Sequence, residues 1–213
     1  MSKTRSKRQS AETKVTLGVL ISKLRPTQMT VGAREVEFKR RQWREADQGE
    51  RVALLRSHTA PAVLGPEGVH FIVDHHHFAK ALLDEGEPLI AVYVLADLQH
   101  LPKAQFWTFL DNSAWCHAYD EKGVRRDLSE IPKKLSDLSD DPYRSLVGSL
   151  LRHGGFAKTH APFFEFLWAD YLRHSLPAKL VRDDFDLALS EALVLAKSHA
   201  AKSLPGWCGS ASS

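Results

Sequence analysis

Three consecutive histidines follow an aspartate where an apolar run ends, and these four side chains have the chemistry of acids, bases and anion ligands. The run Phe71-Ile72-Val73 leads into Asp74, and His75, His76 and His77 open a segment of helical pattern. The first turn of a helix presents free backbone N–H groups and the positive end of the helix dipole, which together bind anions. An imidazole titrates near neutral pH and can accept or donate a proton there. We therefore expect an anion-binding site with acid–base side chains at residues 74–77, with Asp74 as the N-cap of the helix.

A divalent metal is the alternative ligand for a histidine cluster. Successive side chains on a helix point about 100° apart, so one or two of the three histidines can face a common site. Paired metal ligands on a helix take i, i+4 spacing, which consecutive histidines do not provide. His70, His117 or His153 would have to complete such a site from elsewhere in the chain. The sequence leaves open whether a metal binds.

A basic segment upstream is a candidate second wall for the same cleft. The predicted loop Arg25-Pro26-Thr27-Gln28 precedes a predicted helix in which Arg34, Glu37 and Arg41 share roughly one face at i, i+3 and i+7. A run of charges of this kind is usually a solvated, salt-bridged surface. Its position directly after the loop also allows it to line the cleft beside residues 74–77.

Hydrophobic patterning divides the chain into an α/β half and a helical half. Before residue 102 the pattern predicts two strands, over 15–21 and 88–96. It also predicts a hairpin of 62–64 with 69–73 around the turn Gly65-Pro66-Glu67-Gly68. Helices are predicted over 30–46, 49–57 and 75–85, and Gly86 ends the last of them. After Pro102 we expect helices over 104–118, 142–153, 162–174 and 182–201, and no strand. The helix over 162–174 is apolar nearly all round, which predicts that it lies in a core.

Composition indicates one compact globular body with a basic N-terminal tail. The 213 residues carry a formal net charge of +3, but residues 1–14 alone hold five basic side chains and one acidic one. The remainder is therefore close to neutral, which is weak support for a DNA-binding domain. The two cysteines, Cys116 and Cys208, fit no metal or disulfide spacing and predict reduced thiols in a cytoplasmic protein. No apolar run reaches the ~18 residues of a membrane span, so we expect no membrane partner.

Three segments resemble the ParB/sulfiredoxin superfamily, and most closely its ParB-like nuclease branch. They are Leu24-Arg25-Pro26-Thr27-Gln28, Val31-Gly32-Ala33-Arg34-Glu35-Val36 and Ile72-Val73-Asp74-His75-His76-His77. The superfamily has approximately Asp-Gly-His-His-Arg at the last of these, so this chain matches at Asp74, His76 and His77 and departs at His75 and Phe78. The resemblance implies an α/β (α+β) fold, with a small mixed-sheet domain over residues 14–101 and an appended α-helical subdomain over 102–203. Residues 1–13 are expected to be a disordered basic tail and residues 204–213 a flexible tail.

The resemblance implies an enzyme of the hydrolase or phosphoryl-transfer type that acts on a phosphate-containing or other anionic substrate, either a nucleotide or a nucleic acid. Its catalytic residues would be Asp74, His76, His77 and Glu37. Its ligand-binding residues would be Arg25, Thr27, Gln28, Arg34, His75 and Lys80, the last replacing the charge lost at Phe78. Two alternatives remain: a non-catalytic nucleic-acid-binding module that uses the basic tail and Lys39-Arg40-Arg41, and a protein with a histidine-ligated divalent metal. Neither the substrate nor the oligomeric state follows from the sequence.

Overall fold

The computed structural model describes residues 15–209, so the predicted tail over residues 1–13 and the last residues, 210–213, lie outside the described residues. Seven strands and eight α-helices follow one another in this part of the chain. In order they are β1 Val15–Leu20, β2 Arg25–Pro26, β3 Thr30–Val31, α1 Ala33–Glu45, α2 Gln48–Ser57, β4 Ala60–Leu64, β5 His70–Ile72, α3 His76–Asp84, β6 Leu89–Asp97, α4 Lys103–Asn112, β7 Ser139–Asp140, α5 Pro142–Arg152, α6 Phe164–Ser175, α7 Ala178–Asp183 and α8 Phe185–Lys197. The expected α+β fold is confirmed.

Five of the strands form one mixed sheet in the order β1, β6, β4, β5, β2. β4 pairs antiparallel with β5, as the predicted hairpin requires, and parallel with β6. β1 forms one edge, antiparallel to β6, and β2 forms the other, parallel to β5. β3 and β7 make a separate parallel pair. Residues 25–26, predicted as loop, are therefore a strand, and the region after residue 102, predicted to have no strand, contains β7.

The two faces of the sheet bury different cores. Successive side chains of a strand point to opposite faces, and β4 places Ala62 in one core and Val63 in the other. Helices α1 and α3 cover the first face, with Trp43 and Phe78 among the buried side chains. Helix α4 covers the second face with Phe106. The turn that precedes α3 therefore lies between a strand of the sheet, β5, and a helix that is packed on the sheet.

Helices α5 to α8 form a third core, and α5 joins it to the α/β half. Leu146 of α5, Trp168 of α6 and Ala192 of α8 are fully buried in this core, and α5 also contacts α1. The prediction that the α6 region lies in a core is confirmed. The chain stays packed after α8, because Trp168 Nε1 donates to the carbonyl oxygen of Pro205 (2.8 Å) and Trp207 packs against the helices. Residues 204–209 therefore do not form the expected flexible tail.

Three predicted helices have different limits from those expected. α1 begins at Ala33 instead of residue 30, because Thr30 and Val31 form β3. α4 ends at residue 112 instead of 118, because Ala114 takes a left-handed backbone (φ 54) and Trp115 N–H donates back to the carbonyl oxygen of Leu110. This is the Schellman ending, which usually has glycine at the left-handed position. The helix predicted over 182–201 spans only 185–197, as α8, because Asp184 caps its start with its carboxyl group. The residues before Asp184 form a separate helix, α7.

Candidate functional site

The turn between β5 and α3 carries Asp74 and His75. β5 ends at Ile72, and α3 begins at His76 with His75 as its N-cap residue in the left-handed backbone region (φ 62). Asp74 accepts a hydrogen bond from the backbone N–H of His75 (2.6 Å), and no side chain caps the helix. The prediction that Asp74 is the N-cap is therefore wrong, and its carboxyl group stays exposed one residue before the cap. A left-handed residue favours glycine, which accounts for the glycine that the superfamily has at this position.

His76 and His77 hold the upstream loop against α3. Nε2 of His76 accepts the backbone N–H of Thr27 (3.2 Å), and Nε2 of His77 accepts that of Gly32 (3.0 Å). Burial lowers the pKa of His76 to about 3 and lowers the pKa of His77 well below its usual value. An imidazole nitrogen that accepts an N–H carries no proton, so both rings are neutral with Nε2 occupied. This arrangement favours a positioning role over proton transfer at Nε2.

The loop side chains Thr27 and Gln28 are buried in the same network. Thr27 Oγ1 donates to the carbonyl oxygen of Ile72 (2.9 Å), and Gln28 Nε2 donates to that of Thr30 (2.7 Å). Arg25 lies half-buried in β2, which pairs with β5. The structure thus brings the loop and the turn together, with the hydroxyl and amide groups of the loop bound to backbone carbonyls.

Three other predicted site residues are bound elsewhere. Glu37 forms ion pairs with two arginines of its own helix, α1. Lys80 pairs with Asp84 one turn further along α3 (2.6 Å). The guanidinium of Arg34 lies over the ring of Phe185 on α8, 4.3 Å from its centre. The structure does not bring these three side chains to the turn.

Arg144, on α5, is a buried cation with unused hydrogen-bond donors. Its relative exposure is 4%. Its Nη2 lies 3.3 Å from Oε2 of Glu165, and its guanidinium lies 3.6 Å from the ring centre of Phe166. Nε and Nη1 have no hydrogen-bond partner within residues 15–209. Unpaired donors on a buried charge cost considerable free energy, so a ligand oxygen that reached Nε or Nη1 would regain that free energy.

The positive charge of Arg144, on α5, acts on the side chains of the turn between β5 and α3. Burial lowers the pKa of Arg144, and the carboxylates of Glu165 and Asp74 are among the groups that raise it. Arg144 in turn adds to the lowering of the pKa of His76 and of His77, for which burial is the main cause. A cation on α5 and the N-terminus of α3 therefore lie close to the same region.

Glu165, in the first turn of α6, has the environment of an acid–base group. Its side chain is 36% exposed. Even so, burial raises its pKa; Arg144 opposes that rise, and the Asp74 and Glu35 carboxylates add to it. Its carboxyl group is thus partly covered by protein and still reached by solvent. Carboxyl groups with a raised pKa serve as general acids and bases near neutral pH.

Aromatic rings line the α6 side of Arg144. The ring of His117 lies 3.7 Å from that of Phe166 and stacks on Tyr119 at 4.5 Å. Burial lowers the pKa of His117 to about 3, and Arg144 lowers it further. The backbone N–H of His117 donates to the carbonyl oxygen of Thr27 (2.8 Å). The loop at residues 27–32 is thus held from both sides.

The histidines do not gather as metal ligands. Across residues 15–209, no three histidine, cysteine, aspartate or glutamate side chains lie close enough to hold a metal ion. Nε2 of His76 and Nε2 of His77 each accept a backbone N–H instead. Both nitrogens are therefore occupied and are not free to coordinate a metal ion.

Arg144 and Glu165 are not among the site residues predicted from the sequence, although each carries a local signal. Arg144 begins a buried helical stretch that includes Leu146 and Val147, and Glu165 interrupts the apolar start of α6. A single charge within an otherwise apolar helix is a reason to expect a partner or a ligand.

Comparison with known proteins identifies a family for this fold and turn. The family described as "Putative ParB-like nuclease" matches residues 17–174. The chain belongs to this family. The match confirms the resemblance carried by the three sequence segments and extends through most of α6.

One solved structure is similar in both sequence and fold. The crystal structure of protein Atu1540 from Agrobacterium tumefaciens is 44% identical, with a TM-score of 0.87, and the match covers 94% of this chain and 100% of that one. No curated protein matches the chain. Within the described part of the chain, no helix has the length and apolarity needed to cross a membrane.

Proposed function

We propose that this protein is a hydrolase that binds a phosphate-bearing or other anionic substrate, a nucleotide or a nucleic acid, beside the turn at residues 74–77 and cleaves it there. Membership of the ParB-like nuclease family supports this class of substrate. The observation that carries the proposal is Arg144, whose Nε and Nη1 have no partner in the described chain. A guanidinium fork matches the oxygens of a phosphate. Arg144, rather than Arg25 or Lys80, is then the residue that holds the anion.

Glu165 and Asp74 supply the acid–base groups in this proposal. Hydrolysis needs one group that takes a proton from water and one that gives a proton to the leaving oxygen. Glu165 has a pKa raised by burial and lies beside Arg144, so it can exchange a proton with a ligand bound there. Asp74 adds a second, exposed carboxyl group at the turn. His76 and His77 act by holding the loop and the turn together.

We also propose a cytoplasmic location. Cys116 is buried and Cys208 is exposed, and both are free thiols. Free thiols are typical of proteins in a reducing compartment.

Ligand binding tests the anion site. Calorimetric titrations of the full chain would use nucleoside mono-, di- and triphosphates, single-stranded and duplex oligonucleotides, and inorganic phosphate. Two charge-assisted hydrogen bonds contribute about 1.5–3 kcal/mol each, so Arg144→Gln is expected to weaken binding by about 10²- to 10⁴-fold. Arg144→Lys, which keeps the charge without the fork, should show an intermediate loss. Arg182→Gln, at an exposed arginine of α7, is the matched control and should bind as the wild type does.

Turnover separates an enzyme from a binding module. Hydrolysis of the tightest-binding ligand and of bis(p-nitrophenyl) phosphate would be followed for the wild type and for Glu165→Gln. We expect Glu165→Gln to retain binding and to lower turnover by about 10²-fold. Binding without turnover in the wild type would favour the non-catalytic nucleic-acid-binding alternative. Equal binding by the wild type and Arg144→Gln would refute the site.

A further inference from the structure

Lys39 and His58 contact each other next to the turn. Nζ of Lys39, on α1, lies 3.3 Å from Nε2 of His58, the C-cap residue of α2. Nδ1 of His58 lies 3.0 Å from the carbonyl oxygen of Leu54. Because a carbonyl oxygen only accepts, Nδ1 carries the proton of the neutral ring. Nε2 is then unprotonated and accepts a hydrogen bond from the amine of Lys39.

The ring of His58 is held in place by α3. It stacks on Phe78 at 4.5 Å and meets His75 edge-on at 5.4 Å. Burial lowers the pKa of His58 to about 4; Lys39, His75 and Lys158 lower it further, and the hydrogen bond to the α2 backbone opposes them. His58 is therefore a neutral acceptor in a fixed position, and it orients the amine of Lys39.

Lys39 is half-buried, and the cations near it outnumber the carboxylates that are not already paired. Burial is the main cause that lowers its pKa; Arg152 and Lys158 lower it further, whereas Glu35 and Glu165 raise it. Glu35 is already paired with Arg152. A half-buried structural lysine usually pairs with a carboxylate, but Nζ of Lys39 lies 3.3 Å from the His58 imidazole and 5.8 Å from the centre of the Phe38 ring. Such an environment favours the neutral, nucleophilic amine.

We propose that Lys39 is a nucleophilic amine that forms an imine with an anionic carbonyl compound, an aldehyde or a 2-oxo acid. The anionic group of that compound would lie against Lys158, which is exposed and within electrostatic reach of Lys39, His58 and His75. This inference concerns different side chains from those that carry the proposed hydrolase function, and it does not depend on that function.

The chemistry balances without a co-reactant. Neutral Nζ attacks the carbonyl carbon, so a C–N bond forms as the C–O π bond breaks. The carbinolamine then loses its oxygen as water, which takes both protons of the amine, and a C=N bond remains. His58, as the acceptor of an amine N–H, positions Nζ with its lone pair free for the attack.

Covalent trapping tests the proposal on the full chain. The protein would be incubated with pyridoxal 5′-phosphate, an anionic aldehyde, over a range of pH, reduced with borohydride to fix the imine, and mapped by peptide mass spectrometry. Lys103 and Lys179, two exposed lysines of the same chain, serve as internal controls. We expect Lys39 to be labelled several-fold faster than either control at neutral pH, with a labelling midpoint at lower pH.

Three variants separate the parts of the proposed site. Lys158→Ala should remove the preference of Lys39 for pyridoxal 5′-phosphate over pyridoxal, which lacks the phosphate. His58→Phe keeps a ring against Phe78 and removes the acceptor, so labelling of Lys39 should slow. Arg182→Gln, at an exposed arginine of α7 that belongs to neither proposed site, should leave the labelling unchanged.

Labelling of Lys39 at the rate and pH midpoint of Lys103, or no labelling, would overturn the proposal. An equal preference for the phosphorylated aldehyde in Lys158→Ala would overturn the assignment of the anion. If His58→Phe does not fold, as judged by circular dichroism, the wild-type pH profile and Lys158→Ala still decide the outcome.

Discussion

Replacement of His76 by phenylalanine tests the positioning role of the buried histidines. His76 is 3% exposed, and its Nε2 accepts the backbone N–H of Thr27 at 3.2 Å. Phenylalanine keeps an aromatic ring of similar size but leaves the Thr27 N–H buried without an acceptor. A buried donor that loses its partner costs about 1–3 kcal/mol, so we expect the free energy of unfolding to fall by that amount at pH 7.

The same substitution should also make the unfolding free energy less sensitive to acid. The pKa of His76 falls from its usual value of 6.5 to about 3 in the folded protein, chiefly because of burial. Between these two values the unfolded chain binds a proton that the folded protein does not, so the wild type loses stability as the pH falls through this window. From pH 7 to pH 5 this linkage removes about 2 kcal/mol of the wild-type unfolding free energy. Phenylalanine does not titrate, so the difference between the two proteins should shrink or vanish at pH 5.

Urea titrations followed by far-ultraviolet circular dichroism, at pH 7 and at pH 5, measure both effects. His100→Phe, at an exposed histidine in the turn after β6, is the control and should match the wild type at each pH. If His76→Phe were as much less stable than the wild type at pH 5 as at pH 7, the assignment of a neutral buried His76 would be wrong. Equal stability at pH 7 would refute the role of the Thr27 hydrogen bond.

Four further substitutions test the packing and the turns of the helices. A Cβ at Gly148 would overlap Oε2 of Glu35, so Gly148→Ala should lower the unfolding free energy by about 1–3 kcal/mol, and an unchanged melting temperature would contradict this. Gly86 has φ +77 with open space around it, so Gly86→Ala should cost about 1 kcal/mol of backbone strain alone; a much larger loss in the same urea titration would point to a contact instead. Trp43 Nε1 donates to Glu87 at 2.9 Å, so Trp43→Phe should lose about 1 kcal/mol, and Glu87→Gln, which keeps an acceptor, should lose less.

Local signals in the sequence were sufficient for most of the α/β half. The Gly65–Gly68 turn between two apolar runs predicts the β4–β5 hairpin, because its type of turn brings adjacent strands together. Gly86 predicts the end of α3, where Gly86 N–H and Glu87 N–H bond back to the last turn of the helix. These features depend on neighbouring residues, so a single sequence is enough to find them.

Left-handed backbone conformations at residues other than glycine could not be predicted from such local signals. His75 and Ala114 both adopt left-handed backbone, and neither residue type signals it. With histidine at 75 the sequence predicts Asp74 as the N-cap, and with alanine at 114 it predicts a helix that is six residues too long. In both places the surrounding structure imposes a conformation that the residue alone does not favour.

The residues around Arg144 depend on long-range packing, which the sequence does not reveal directly. The cleft beside residues 74–77 was expected to draw its second wall from the residue 25–41 region, because that segment follows the first strand. The loop at residues 25–28 does lie against the turn. In addition, α5 packs against α1, and the charge of Arg144 acts on the turn from the helical half. Glu37, on the expected wall, faces its own arginines.

The positive charge for an anion at this site has to come from residues other than the histidines. Burial lowers the pKa of His76, His77 and His117, and Arg144 lowers each of them further, so all three are neutral near pH 7. A cation that opposes protonation of its neighbours creates a positive potential around them. The same potential favours an incoming anion without any imidazolium charge.

The helical half is therefore part of the proposed site. The superfamily has an arginine where this chain has Phe78, and Phe78 is buried in the core between α1, α3 and the sheet. α3 thus has no guanidinium at that position, and Arg144 supplies one from α5 while Glu165 supplies a carboxyl group from α6. The proposed anion site then requires the α5–α1 contact, because the turn at residues 74–77 alone would lack the cation that gives it a positive potential.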